Sequence, residues 1–482
     1  MKKSALVVVD YGTSNVRASI LDARTGEAKY QISRKSRILS PRPGFLELSV
    51  GDLWANCQEC VKDVFDQLRR DDAYRAEVIS FSYFGDNTIL ADANNNPVYN
   101  LILAFDPRAR VEAEVMNDHF GKERLIESIG SPFSGGSTPA KLLWVKNNLP
   151  EVYAKTKRVL TNQQYTMAKL GFPRVSDYTM ARRMMMLDID SGSWNKDILD
   201  YFGLTSEAVG DTVFANSVIG GTESFGSVRL PYKIPVVIGA HDCTCGQLGT
   251  GITSDTRDTV GNVAGTFDHY GYVDFSGALK GSQSSGCLPG VIARGRAFSN
   301  SGSLVLWFMN TINGDSEQES YSRFWEGSRL DGSNRLFVNP RFFANSGIIS
   351  GLDLTVTKQD LFDAVIEAVT FAARGALDAL RAERAGRGLG VSKIRIGGGP
   401  SRSDAWNRHK ANVFGLRVER LKNREVSSTG AGALGAYGIG LFSSIEEAMR
   451  AYAAVDNVYE PDMELHGIYN AKYDTYLERC RQ

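Results

Sequence analysis

The sequence predicts an α/β protein built from two similar halves, and three observations carry that expectation. The first is Ala5–Val9, an apolar run rich in β-branched residues that reads as a buried strand ending at Asp10. A turn through Gly12, Thr13, Ser14 and Asn15 leads into a second strand, Val16–Leu21, so the unit is a hairpin. The second is the alternation of strand and helix patterns through the first half. The third is the stretch 258–273, DTVGNVAGTFDHYGYV, where a strand, a Gly265-Thr266 turn and another strand repeat the opening pattern. Two such hairpins half a chain apart suggest a duplicated domain, with both Gly-Thr turns facing one nucleotide in the cleft between the halves.

Length and composition bound the rest. A chain of 482 residues is too long for one core, and the two domains are expected at 1–247 and 248–482. The 55 basic and 55 acidic residues cancel, so there is no electrostatic case for nucleic acid or an anionic membrane as partner. No apolar run approaches the ~20 residues of a membrane span. Asp10 also cuts the run after MKKS too short for a signal peptide, and a cytoplasmic location is expected. Six cysteines make no disulfide framework, and Cys57 and Cys60 fall on the amphipathic pattern 52–68, where core packing explains them better than zinc. The five histidines form no metal cluster.

In chain order, 52–68 reads as a helix, Val78–Tyr83 and Thr88–Ala91 as strands, Val98–Phe105 as an apolar run and Arg110–Phe120 as a helix. Thr138 and Pro139 suit the start of another helix. Residues 150–230 read as connections and short elements. Pro235–His241 then runs as a buried strand into Asp242, which places a carboxylate at a strand end, where α/β proteins bind ligands. A helix N-cap aspartate explains the same residue. Leu361–Leu380 is an apolar-striped helix, Lys393–Ile396 a strand, and Gly397-Gly398-Gly399-Pro400-Ser401 a backbone on which a flat ring or sugar can lie. The next helix starts near Ser403, and Thr429–Ala436 is a helix of small residues.

The opening turn has the chemistry of a phosphate site. Gly12 permits close approach, Thr13 and Ser14 offer donors to phosphate oxygens, and Asp10 can hold magnesium. An ordinary surface hairpin favours the same residues.

Two further stretches identify a family. Gly136–Asn148, with Thr138, Lys141 and Trp144, is one. The other is Gly347–Leu352, followed by Asp360-Leu361, Ala364-Val365-Ile366 and Glu367. In that order they resemble the two signatures of the FGGY family of carbohydrate kinases, within the sugar kinase–heat-shock–actin ATPase superfamily. The resemblance runs from residue 6 to about residue 442. It implies two duplicated ribonuclease H-like domains with an active-site cleft between them. It further implies transfer of the γ-phosphate of ATP, with Mg²⁺, to a hydroxyl of a small sugar or polyol.

By the same resemblance, Asp242 is the catalytic base, and Asp10 with Asp242 holds the metal. Asp10, Gly12, Thr13, Ser14 and Arg17 form the first phosphate motif, and Gly265 and Thr266 the second. Gly398, Gly399, Ser401 and Trp406 form the adenosine motif, which Ala431 and Gly432 close. Phe84, Gly85, Asp86, Asp106, Arg108 and His241 fall where family members contact the acceptor. Asn15-Val16-Arg17, Phe84-Gly85, the runs Asp177–Ala181 and Met186–Ile189, and His241-Asp242 are similar to fuculose-type members, so an L-fuculose-like ketose is favoured. Tyr11-Gly12-Thr13 departs from that subgroup, and D-xylulose, L-ribulose, L-rhamnulose, erythritol and glycerol stay open. A different class, a non-catalytic ATP- and sugar-binding sensor on the same scaffold, is disfavoured by the retention of Asp10, Thr13 and Asp242. The oligomeric state is left open, with a homodimer among the options.

Overall fold

The structure, a computed structural model, describes residues 2–265, 268–276, 284–298, 301–340 and 347–480. It divides into two compact units. Unit 1 holds Met1–Gly249, Val273–Arg294 and Ser427–Tyr452, and unit 2 holds Thr250–Tyr272, Gly295–Val426 and Ala453–Gln482.

Unit 1 is organised on a mixed sheet. Its strands are β1 (Lys3–Tyr11), β2 (Asn15–Asp22), β3 (Ala28–Lys35), β4 (Tyr74–Tyr83), β5 (Val218–Phe225) and β6 (Val228–Val237), in the order β5-β6-β4-β1-β2-β3. A short β7 (Ala240–His241) pairs with the end of β4. β1 to β3 form an antiparallel meander, whereas β4 lies parallel to β1 with Asp10 opposite Ser82. Ala5–Val9 are wholly buried, as expected for a strand covered on both faces. Helix α1 (Val50–Arg70), capped by Ser49, covers one face with Leu53, Cys57, Val61, Val64 and Phe65. Cys57 and Cys60 are free thiols in that packing, and burial pushes Cys60 up to about 11.

The strand β5 and the start of β6 lie where only connections and short elements were expected, while the end of β6 falls in the strand expected from Pro235. Gly220 and Gly221 in β5 and Pro231 and Pro235 in β6 hide their strand character. β6 tolerates its prolines because its register with β4 is confined to Val236 opposite Ile79. Unit 1 also carries α2 (Thr138–Asn148), α3 (Tyr178–Arg183) and α4 (Asp242–Gly249).

Unit 2 repeats the opening device. β8 (Thr259–Ala264) forms a hairpin with β9 (Asp268–Asp274), and Ala264 pairs with Asp268. The long α5 (Lys358–Ala385) starts at a capping box of Thr357 and Asp360 and leads to β10 (Lys393–Gly398), parallel to β8. Helix α6 (Asp404–Phe414), capped by Ser403, and β11 (Arg417–Leu421) follow. Val260, Phe371, Ile394, Ile396 and Phe414 build the core of this unit. In both units, then, the first strand of a hairpin runs parallel to a later strand, as a duplication requires.

The chain next forms α7 (Val426–Gly438), whose residues from Ser427 onward belong to unit 1, before β12 (Val455–Tyr459) pairs antiparallel with β11. Gly432 faces Leu6, Val8 and Leu21, the alternate residues of β1 and β2, so α7 covers the sheet face opposite α1. No described helix is long and apolar enough to cross a membrane.

Candidate active site

Three parallel strand ends of unit 1 converge. Asp10, one residue before the end of β1, lies opposite Ser82 of β4, His241 of β7 lies opposite Tyr83, and Asp242 follows as the first residue of α4. The carboxyl ends of parallel strands are where open α/β sheets take ligands. Gly239 makes the step from β6 to β7 possible: its φ is 76°, and a Cβ there would sit 1.8 Å from the Phe81 carbonyl oxygen.

Asp242 combines enclosure with access. Its Oδ1 accepts the Cys243 N–H at 2.6 Å and lies 3.2 Å from His241 Nε2, while 33% of its side chain is exposed. Burial first, then the negative charge of Asp10, pushes the Asp242 carboxyl up to about 7, against the Cys243 N–H and Arg183. A carboxylate that changes state near neutral pH suits a general base.

Asp10 is buried, with Oδ2 3.3 Å from Arg17 Nη1. The turn after it is closed by the Gly12 N–H donating to the Asn15 carbonyl at 2.9 Å, leaving Thr13 partly exposed and Ser14 exposed. The charge of Asp10 reaches the Asp242 carboxyl, and two such carboxylates are a hard-oxygen donor set, which fits Mg²⁺. Ligand atoms of His241, Asp242 and Cys243 also lie within 4.8 Å of one another, but imidazole and thiol suit softer metals.

The residues expected at the acceptor divide into two groups. Asp86, at φ 55°, takes Arg183 Nε on Oδ2 at 3.1 Å, with Arg183 Nη2 on the same oxygen, and its carbonyl accepts Lys141 Nζ at 2.7 Å. Oδ1 is left without a hydrogen-bond partner among the described residues. Gly85 packs under the His241 ring, and the Phe84 side chain is in the core with its carbonyl taken by Asn87.

Asp106 and Arg108, expected at the acceptor, are instead sealed, with side-chain exposures of 0% each. Arg108 bonds both Asp106 oxygens, at 2.8 and 2.6 Å, and Glu47 at 2.8 Å, and its guanidinium lies 3.9 Å from the Phe45 ring centre. Asp106 also accepts the Leu46 N–H at 2.6 Å. Every donor and oxygen is used internally, so this is a structural clasp, and Glu47 is its member that sequence reasoning missed.

In unit 2, Gly265 opens the hairpin loop, its N–H 3.3 Å from Asp268 Oδ1, and Thr266 lies outside the described residues. Lys410, buried beneath, donates to Asn262 at 2.9 Å and reaches Asp268 at 3.4 Å. Gly398 ends β10 opposite Ala264, so the glycine run and the second hairpin share one edge, with Gly399 next in line.

Two further expectations are corrected. Ser401 is buried with its hydroxyl on the Gly398 carbonyl at 2.6 Å, and Trp406 is buried on Trp325 with its indole N–H on Thr370 Oγ1 at 3.1 Å. They brace the motif from beneath. Ala431 and Gly432 lie in the α7–sheet packing of unit 1, where small size permits close approach, rather than at an open surface.

Sequence comparison agrees with this geometry. Residues 5–249 match the N-terminal domain, and residues 262–439 the C-terminal domain, of the FGGY family of carbohydrate kinases. The chain belongs to that family. It is an ATP-dependent sugar kinase, a phosphotransferase with an alcohol acceptor, and its cofactors are ATP and Mg²⁺. A xylulose kinase of Staphylococcus epidermidis is 26% identical over 495 residues, spanning 99% of this chain and 96% of its own. An L-xylulose/3-keto-L-gulonate kinase of Escherichia coli is 24% identical, spanning 97% and 95%. Among solved structures, a ligand-bound xylulose kinase from Lactobacillus acidophilus has a TM-score of 0.85 at 20% identity, covering 99% of this chain and 97% of that one.

Proposed function

We propose that this kinase phosphorylates a hydroxyl of a small ketose, with Asp242 as the general base and Asp86 as an acceptor contact. The observation that carries the reading is the convergence of Asp10 and Asp242 at neighbouring strand ends, beside an Asp86 whose Oδ1 is free to accept a hydroxyl. Phosphoryl transfer is mainly positioning and charge neutralisation, with one carboxylate taking the hydroxyl proton. Asp10 and Asp242 would hold Mg²⁺, which would supply charge neutralisation to the phosphates. Asp242 accepts the acceptor proton, and Asp86 with Arg183 orients the polyol through charge-assisted hydrogen bonds. Thr13, Ser14, Gly265 and Thr266 serve the phosphates, and the Gly398-Gly399 backbone the adenosine.

D-Xylulose is the first acceptor to examine, because relatives matched over nearly their whole length are named xylulose kinase. An L-fuculose-like ketose is the second, favoured by His241-Asp242 and the run Asp177–Ala181. A coupled ADP-release assay with Mg-ATP tests this across D-xylulose, L-fuculose, L-ribulose, L-rhamnulose, erythritol and glycerol. One strong ketose responder is expected; glycerol alone responding, or silence across the panel with ATP bound, overturns the reading.

A further inference from the structure

The base reading leaves open what aims Asp242, and the buried surroundings of β7 supply an answer. The His241 backbone N–H donates to Thr179 Oγ1 at 2.8 Å, across 62 residues of sequence. The Asp177 carboxylate caps the same segment, accepting the backbone N–H groups of Thr179 at 2.8 Å and Met180 at 3.2 Å. Gln163 completes the brace. Its Oε1 accepts the Asp177 N–H at 2.7 Å, and its Nε2 sits 3.4 Å from the carbonyls of both Ile238 and Gly239. Gln163, Asp177 and Thr179 are each 0% exposed, so no water competes with these bonds.

The second observation is on the other side of His241. A Cβ on Gly85 would meet His241 Nε2 at 2.5 Å and Cδ2 at 2.6 Å, so the ring lies flat against a residue with no side chain. That ring places Nε2 3.2 Å from Asp242 Oδ1, the oxygen already holding the Cys243 N–H at 2.6 Å. Both anchors fall on Oδ1. These contacts hold the carboxylate, so the direction of Oδ2 follows from the backbone at residues 241 and 242.

We propose that Thr179 is a positioning residue for phosphoryl transfer: by accepting the His241 amide it fixes the β7–α4 turn that points Asp242 Oδ2 at the acceptor hydroxyl. The inference rests on Asp242 being the base. Thr179 is 0% exposed, so its effect is on geometry. A displacement of about 1 Å at a reacting group costs on the order of 10²-fold in rate.

The test uses Thr179→Val, which keeps the shape and removes the acceptor oxygen, and Thr179→Ser, which keeps the oxygen. Asp242→Asn is run beside them. Kinetics are measured with Mg-ATP and the acceptor that responds most strongly in the panel, and amide hydrogen exchange is followed in the peptide containing His241. Thr179→Val is expected to lower kcat by about 10²-fold with both KM values within about twofold. Its His241 amide should exchange faster than in the native chain. Thr179→Ser should restore both readouts. Thr179→Val with native kcat beside an inactive Asp242→Asn overturns the positioning role and leaves the base reading standing. A Thr179→Ser variant as impaired as Thr179→Val does the same. An active Asp242→Asn removes the base reading, and this inference with it.

Discussion

Asp86 with Arg183, and Asp106 with Arg108, are both aspartate–arginine pairs of unit 1, and they are built in opposite ways. In the first pair both donors fall on Oδ2, the side chains are 24% and 41% exposed, and Oδ1 has no hydrogen-bond partner among the described residues. In the second pair both oxygens and the guanidinium are satisfied by Glu47, Leu46 and each other, at 0% exposure. The difference separates recognition from support. A charged pair can bind a ligand only where it keeps an unused hydrogen-bonding atom in reach of solvent; a pair that spends every atom internally holds its loops together instead.

Breaking the sealed pair should have the largest effect. Arg108→Ala strands Asp106 and Glu47 as buried charges without a counterion, and is expected to destabilise the chain by about 3–5 kcal/mol. Urea unfolding reads that loss, while the KM values of the fraction that stays folded should hardly move. Opening the same test on the exposed pair should reverse the pattern. Asp86→Asn is expected to raise the acceptor KM by roughly 10-fold, the scale of one charged hydrogen bond, with stability changed by less than about 1 kcal/mol. If Asp86→Asn unfolds the chain and Arg108→Ala only weakens acceptor binding, the comparison is inverted.

The smallest effect belongs to Lys141, which lies between the two pairs and donates to the carbonyls of Asp86 at 2.7 Å and Ile102 at 3.2 Å. Unlike Arg108, it has no carboxylate on its ammonium. Burial pushes Lys141 down to about 7. A lysine with a depressed folded value releases its proton first in the native state. Between about pH 7 and its ordinary value the unfolded chain therefore holds more protons, and stability rises with pH. Lys141→Met should flatten that rise between pH 7 and 9 in denaturant titrations. An unchanged slope would show that Lys141 keeps its charge.

Much of this was legible in the sequence because it is local. The hairpin at residues 5–22, the helix expected at 52–68 and found as α1, the helix α2 with proline in its first turn and the capped helix α5 each announce themselves by periodicity and end signals within one element. Asp10 and Asp242 were recognisable as carboxylates at strand ends for the same reason. What stayed hidden depends on contacts distant in sequence. Arg183 reaches Asp86 across 97 residues, and no local pattern marks it. β5 and β6 are defined by pairing that their glycines and prolines disguise. Asp106 and Arg108 were misread because a sealed clasp and an open contact share the same residue types. Trp406 and Ala431 were misread because motif position does not distinguish a lining residue from the packing beneath it.

The central claim is that Asp242 takes the proton of the acceptor hydroxyl. It is tested most directly by rapid-quench measurement of phosphoryl transfer in Asp242→Asn, with ATP and acceptor affinities measured by calorimetry on the same preparation. The account predicts transfer slowed by about 10²–10⁴-fold, the contribution of a general base, with both affinities within about threefold of the native chain. Transfer at a near-native rate, with the substrates bound normally, would contradict it.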